Sequence, residues 1–272
     1  MSGSPLIVLV GVGNMGGAML SGWLAAGYDA KSILVIDPSP PENKRDLVMA
    51  LGVRHERTPP AGMVADILVL AVKPQVFDAA LAGVSDLAGP KTVVLSVAAG
   101  KPLAAIAAGL RRKGGPAVRA MPNTPALVQR GITVACANAE AGAADRARVD
   151  ALLAAVGKVE WVDDEGLIDA VTAVSGSGPA YVFHLAECMA KAGVEAGLPE
   201  ALAKKLARET VVGAGELMAR SSEGPAQLRR NVTSPHGTTA AALGVLGQPG
   251  GLKDLMSRAI AAAKKRAGEL AG

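Results

Sequence analysis

Aromatic side chains are scarce: two Trp, two Tyr and two Phe make up 2% of 272 residues. Stacking platforms for single-stranded nucleic acid need such rings, so that class is not expected. Cysteine is as rare. Cys136 and Cys188 are too few for a disulfide framework and read as small buried apolar residues of a reducing compartment. With three scattered histidines they give no zinc-ligand spacing, and no metal is expected. Charge is modest. The 28 Lys and Arg are interleaved with 24 Asp and Glu, and the net +4 fits a solvated surface better than a DNA-binding stripe. Two long stretches lack charge, Met1 to Tyr28 and Val232 to Leu252. Glycines break the first and Pro235, Gly244, Pro249 and other breakers the second, so neither reads as a membrane span. No basic leader precedes the first apolar run, and a secretory signal is not expected. The expectation is a cytoplasmic protein that binds neither nucleic acid nor membrane.

What is abundant is apolar: half the residues, enough for a sizeable core. The first half alternates short β-type runs (Leu6–Val10, Ile33–Ile36, Ile67–Ala71, Thr92–Val97, Ala117–Ala120, Thr133–Ala137) with helical segments (Ala18–Ala26, Arg45–Leu51, Phe77–Leu87, Pro102–Arg112). Strands buried on both faces between helices indicate α/β architecture, a doubly wound and mostly parallel sheet. Beyond about Asp164 only helices read: Ala180–Ala196, Pro199–Ala219, Pro225–Val232, Thr239–Val245 and Leu252–Leu270. The expected domains are therefore residues 1–164, α/β and dinucleotide-binding, and 165–272, all-helical. A small helical domain this rich in Ala and Gly completes its core most simply against a second copy, so a homodimer is expected.

The strand Leu6–Val10 runs into Gly11-Val12-Gly13-Asn14-Met15-Gly16 and then a helix. That context turns a weak glycine pattern into a phosphate-binding turn: one glycine for the turn, one for backbone approach to a pyrophosphate, one for helix packing. Asp37, at the end of the second strand, is placed to accept ribose hydroxyls and favours NAD, or alternatively caps a turn ahead of Pro38. Ser39, Lys44 and Arg45 lie just beyond, within reach of a 2′-phosphate, so NADP stays open. Other strand ends join the cofactor rim: Ala71-Val72-Lys73-Pro74, Ala98-Ala99-Gly100 and Met121-Pro122-Asn123-Thr124-Pro125.

In the helical half, Ser175-Gly176-Ser177-Gly178-Pro179 reads as a glycine loop feeding a helix, and Asn231 to Thr239 as a hydroxyl-rich turn opening another. Free N–H groups and hydroxyls make such a turn an anion site suited to a carboxylate, against the plainer alternative of helix capping. His236 reads as an exposed turn residue, His55 and His184 as surface and helix-face residues. No lysine follows Ser175–Gly178 until Lys191, where related hydroxyacid dehydrogenases carry one nearby. The absence favours an imine, which needs positioning more than acid–base help.

These motifs, in this order from about Ile7 to Glu269, resemble pyrroline-5-carboxylate reductase, the last enzyme of proline biosynthesis. The match is strongest from Asp169-Ala170-Val171-Thr172 to Tyr181 and from Asn231 to Thr239. The resemblance implies an NADPH- or NADH-dependent oxidoreductase acting on the CH–NH group of 1-pyrroline-5-carboxylate to give L-proline. It implies a Rossmann domain, a helical dimerisation domain, and dimers that in many members assemble into decamers. By motif position, the catalytic residues are Thr239, bonded to the ring nitrogen, and Ser234. Ser234 and the amides of Gly237, Thr238 and Thr239 hold the substrate carboxylate, with Ser175, Gly176, Ser177 and Asn231 beside the ring. Gly11, Val12, Gly13, Asn14, Met15, Gly16, Asp37, Pro38, Thr58, Ala71, Val72, Lys73, Pro74, Ala98, Ala99 and Asn123 surround the cofactor, Thr58 near the adenosine. Asp37 and Pro38 depart from the Ser, Asn or Arg that many members use for the 2′-phosphate. His236 and Thr238 stand where small residues are common. Rival readings are a reductase of another cyclic imine, a non-catalytic dinucleotide sensor and a hydroxyacid dehydrogenase.

Overall fold

The computed structural model describes residues 4–271. Met1–Gly3 and Gly272, the outer ends of the two expected domains, lie outside the described residues. Eight strands form one sheet: β1 Ile7–Val10, β2 Ile33–Ile36, β3 Arg54–Glu56, β4 Ile67–Leu70, β5 Val93–Ser96, β6 Ala117–Met121, β7 Gly131–Ala137 and β8 Gly157–Trp161. Their spatial order is β3-β2-β1-β4-β5-β6-β7-β8. All neighbours are parallel except β6 and β7, joined by a short 3-10 turn, Thr124–Val128, that leaves no room for a crossover. The connection reverses direction between β1 and β4, and a ligand crevice is expected outside the strand ends there.

The first strands are buried on both faces, so alternate residues feed two cores. Ile7, Leu9, Val35 and Val69 pack with Leu20 and Trp23 of α1 (Asn14–Ala25), Val48 of α2 (Glu42–Ala50) and Leu152 of α5 (Ala143–Ala154). The buried Trp23 indole donates to Leu152 O at 2.9 Å. Val8, Val10, Leu34 and Leu68 pack with Phe77 and Leu81 of α3 (Phe77–Val84) and Ile106 of α4 (Leu103–Gly109).

After the sheet come a short helix α6 (Ile168–Val171), a π-helical turn (Thr172–Gly176), α7 (Gly178–Glu195), α8 (Glu200–Arg220), α9 (Pro225–Asn231), α10 (Thr238–Leu246) and α11 (Leu252–Ala271). Contacts divide the chain into two compact units: Met1–Gly176 with Lys264–Gly272, and Ser177–Ala263. The sheet ends at Trp161, just before residue 164, while the contacts change later, at Gly176. Within Ser177–Ala263 only Ala203 and Ala207 are buried, and Phe183, Leu185, Met189, Leu202 and Leu206 are exposed.

Four elements escape a reading of hydrophobic runs: β3, α5, β8 and α6. β3 and β8 are the sheet's edges and carry Arg54, His55, Glu56, Lys158 and Glu160. In the expected glycine loop at Ser175–Gly178, Ser175 and Gly176 close the π-helical turn and Gly178 opens α7, which leaves only Ser177 between them as a bend. A Cβ on Gly176 would stand 2.6 Å from Met121 Cε, the movable end of a flexible side chain, so the Met121 methyl would have to shift for a larger residue.

Candidate active site

The ends of β1, β2 and β4 enclose a cavity of about 760 Å³, within the range of small-molecule sites. Gly11, Gly13, Asp37, Pro38, Thr58, Ala71, Val72 and Lys73 line it, joined by Ser39 and Arg57. The glycine turn shows why these residues must be glycine. Gly11 has φ +88°, and its Cβ would stand 2.8 Å from Ala71 O. A Cβ on Gly16 would stand 2.1 Å from Gly11 O, so helix α1 can sit this close only with glycine there. Gly13 differs: nothing of the protein lies within 4 Å of where its Cβ would be. Packing does not demand that glycine, and the open space beside it fits a phosphate approaching the backbone. Gly13 also caps α1 without a side-chain hydrogen bond, which leaves the first-turn amides for a ligand.

Asp37 lines the cavity and also builds its wall. Its Oδ2 accepts from Val12 N at 2.9 Å and its Oδ1 from Ser39 N at 3.0 Å. Asp37 thus caps its turn, the plainer of its two readings, while standing in the cavity lining. The edge strand β3 holds this turn from outside. Asp37 N donates to Glu56 O, and His55 Nε2 lies 2.9 Å from Asp37 O. A carbonyl only accepts, so this bond places a proton on Nε2. His55 is therefore a half-buried brace and not the surface residue expected. Arg57 Nε donates to Pro38 O at 3.1 Å. Neither His55 nor Arg57 shows a motif; both enter through pairing of β3 with β2. Of the three residues expected to meet a 2′-phosphate, only Ser39 lines the cavity. Lys44 lays its stem against Gly17.

Other rim residues are used inside the protein. Val12 is buried, and Asn14, Met15, Gly16 and Pro74 stand outside the cavity lining. Ala98 is buried with its amide donating to Ser96 Oγ, and Ala99 is exposed. Asn123 is buried; its Oδ1 accepts from Ile132 N at 3.0 Å and its Nδ2 donates to Ser175 O at 3.1 Å. Ser175 Oγ in turn donates to Val171 O. Asn123 thus ties the end of β6 to the π-helical turn.

In the helical unit, residues 234–237 form a tight turn in which Gly237 N donates to Ser234 O and His236 adopts φ +59°. α10 then starts at Thr238, so the amides of Thr238 and Thr239 belong to its open first turn. Ser234 Oγ lies under Gly237, 2.3 Å from where a Cβ would stand. Asn231 accepts from Gln227 of its own helix and donates to Glu223 just before that helix, both at 2.7 Å. No group of three His, Cys, Asp or Glu among the described residues could hold a metal ion.

The comparisons agree with this layout. Residues 165–270 match the family model for pyrroline-5-carboxylate reductase dimerisation, and residues 6–100 that for NADP oxidoreductase, coenzyme F420-dependent. The first half is accordingly an NADP-binding type of Rossmann domain. The pyrroline-5-carboxylate reductase of Pseudomonas aeruginosa is 41% identical over 269 residues, covering 98% of this chain and 97% of the relative. A solved pyrroline-5-carboxylate reductase from Coxiella burnetii matches with TM-score 0.91 and 36% identity over 99% of both chains. The Plasmodium falciparum pyrroline carboxylate reductase, solved with NADP bound, matches with TM-score 0.82 and 26% identity over 98% of both. A glycine cradle at the sheet's switch point, a hydroxyl-rich helix start and these near-complete likenesses together show that the chain belongs to the pyrroline-5-carboxylate reductase family.

Proposed function

We propose that this chain reduces 1-pyrroline-5-carboxylate to L-proline with NADPH or NADH. The observation that carries the reading is the identity of 41% with the Pseudomonas aeruginosa reductase over nearly the full chain. The cavity supports a dinucleotide through Gly13, which faces open space at the start of α1. When bound, the reduced nicotinamide supplies a hydride to C5 of the cyclic imine.

The protein's own task is then positioning. The amides of Thr238 and Thr239 and the hydroxyl of Ser234 hold the substrate carboxylate at the N-terminus of α10, where the helix dipole favours an anion. Gly237 N is already committed to Ser234 O and shapes the turn. Thr239 Oγ hydrogen-bonds the ring nitrogen and holds it for protonation. Asn123 and Ser175 act through the backbone they brace, and Asn231 through the side chains of Glu223 and Gln227, since all three are engaged within the chain. Gly176 and Ser177 border the ring pocket. His236 carries no acid–base role.

The enzyme works as a homodimer built on the helical unit, with a decamer of such dimers as the larger assembly. The dimerisation match and the exposed Phe183, Leu185, Met189, Leu202 and Leu206 support the pairing. No helix among the described residues is long and apolar enough to cross a membrane, and both cysteines are free, which suits a reducing cytoplasm. The test is to add pyrroline-5-carboxylate to the purified protein with NADPH, then with NADH. Loss of the reduced nicotinamide signal with proline formed supports the reading. No consumption by a folded protein that still binds dinucleotide would move the substrate to another cyclic imine.

A further inference from the structure

We propose that Arg57 is the residue that recognises the 2′-phosphate of NADP and so sets the cofactor preference of this site; the proposal rests on the dinucleotide reading of the cavity. The argument begins with strand pairing. β3 runs parallel beside β2, which carries the residue after β3 to the rim where β2 ends. Arg57 therefore lines the same cavity as Asp37, Pro38, Ser39 and Thr58. Its Nε bond to Pro38 O holds the guanidinium against the Asp37–Ser39 turn. The two terminal nitrogens stay available, and among the described residues no carboxylate forms an ion pair with Arg57.

The other candidates for this job are excluded by their positions. Lys44 lies over Gly17 and is not part of the cavity wall. Asp37, the residue that would reserve the site for a free ribose hydroxyl, gives one oxygen to Val12 N and the other to Ser39 N. Those two amides draw on its charge. Lys73, the other cation of the lining, follows β4 on the far side of β1 from β2, so a ribose phosphate entering beside Asp37 meets Ser39, Thr58 and the Arg57 guanidinium. A guanidinium suits this ligand because its planar fork meets a phosphate with two parallel hydrogen bonds. The ligand class is thus a phosphomonoester on the adenosine ribose.

The test is isothermal titration calorimetry on the full chain, with no substrate present. NADP⁺ and adenosine 2′,5′-bisphosphate are compared with NAD⁺ and 5′-AMP for wild type, Arg57→Ala and Arg57→Lys. Arg57→Ala should weaken NADP⁺ and the bisphosphate about 10- to 100-fold and change NAD⁺ and 5′-AMP by less than about threefold. Arg57→Lys should fall between, and the wild-type preference for the bisphosphate should shrink with added salt because Arg57 is exposed. Equal weakening of both ligand pairs would mean that Arg57 only props the turn at Pro38, and would overturn the proposal. Unchanged NADP⁺ binding in Arg57→Ala would remove Arg57 alone and leave the reductase reading standing. A folded wild type that binds neither dinucleotide would remove both.

Discussion

The Asp37 carboxylate bridges two backbone amides, Val12 N at 2.9 Å and Ser39 N at 3.0 Å, and so fastens the glycine turn to the end of β2. One residue thus carries a structural load and places a carboxylate in the cavity lining. Asp37→Ser separates the two. A single hydroxyl cannot replace two oxygens facing different amides, so unfolding free energy should drop by about 1–3 kcal/mol in a denaturant titration. Removal of the charge should raise the NADPH-to-NADH ratio of kcat/KM about tenfold, worth about 1.4 kcal/mol. Lost stability with an unchanged ratio would show that the carboxylate only builds the wall.

Arg119 on β6 is the buried cation of the first unit, with its side chain 6% exposed. It pairs with Glu165 at 3.0 Å and Asp169 at 3.8 Å, and Glu165 also accepts from Leu103 N. Removing one partner of a buried pair strands the other charge. Glu165 and Asp169 keep 31% and 27% of their side-chain exposure, so Arg119→Leu should cost about 1–3 kcal/mol in chemical denaturation at fixed protein concentration. A loss under about 1 kcal/mol would contradict this account of the junction between β6 and α6.

Burial pushes the Cys136 thiol up from its ordinary range, with Glu165 adding in the same direction. The folded state then keeps its proton to higher pH than the unfolded chain does. The contribution is fully present below the unfolded value of roughly 8.5 and is lost as pH rises through it towards the folded value. Unfolding free energy should fall more steeply between roughly pH 8 and 10 for wild type than for Cys136→Ala. Parallel curves for the two proteins would remove Cys136 as the cause.

Thr239 opens α10 beside the Ser234–Gly237 turn. Thr239→Ala should cut kcat about 100-fold, in the range of a lost proton-handling group, and leave the Kd of NADP⁺ within about twofold. Thr239→Ser, which keeps the hydroxyl, should recover most of the turnover. Full turnover in Thr239→Ala would take that hydroxyl out of the mechanism.

Much of this architecture is legible in the sequence, for a physical reason. β1, β2, β4 and β5 are buried on both faces, so they appear as unbroken apolar runs. The glycine turn is equally plain because close backbone contacts hold Gly11 and Gly16 to glycine, and Gly13 completes the spacing. What stays hidden depends on tertiary pairing. β3 is a polar edge strand, yet it brings His55 and Arg57 against the turn after β2, 18 and 19 residues from the groups they bind. The glycines near Ser175 read as a loop, whereas Gly176 closes a π-helical turn and Gly178 opens α7. The same composition fits both uses, and only the packing distinguishes them.

The central claim is that this chain holds a cyclic imine so that its C5 receives the hydride. The most direct test is to run the reaction with NADPH deuterated at the transferring C4 position and examine the proline by NMR and mass spectrometry. The account predicts one deuterium per proline, at C5. Cofactor oxidation without labelled proline, or label at another carbon, would contradict it.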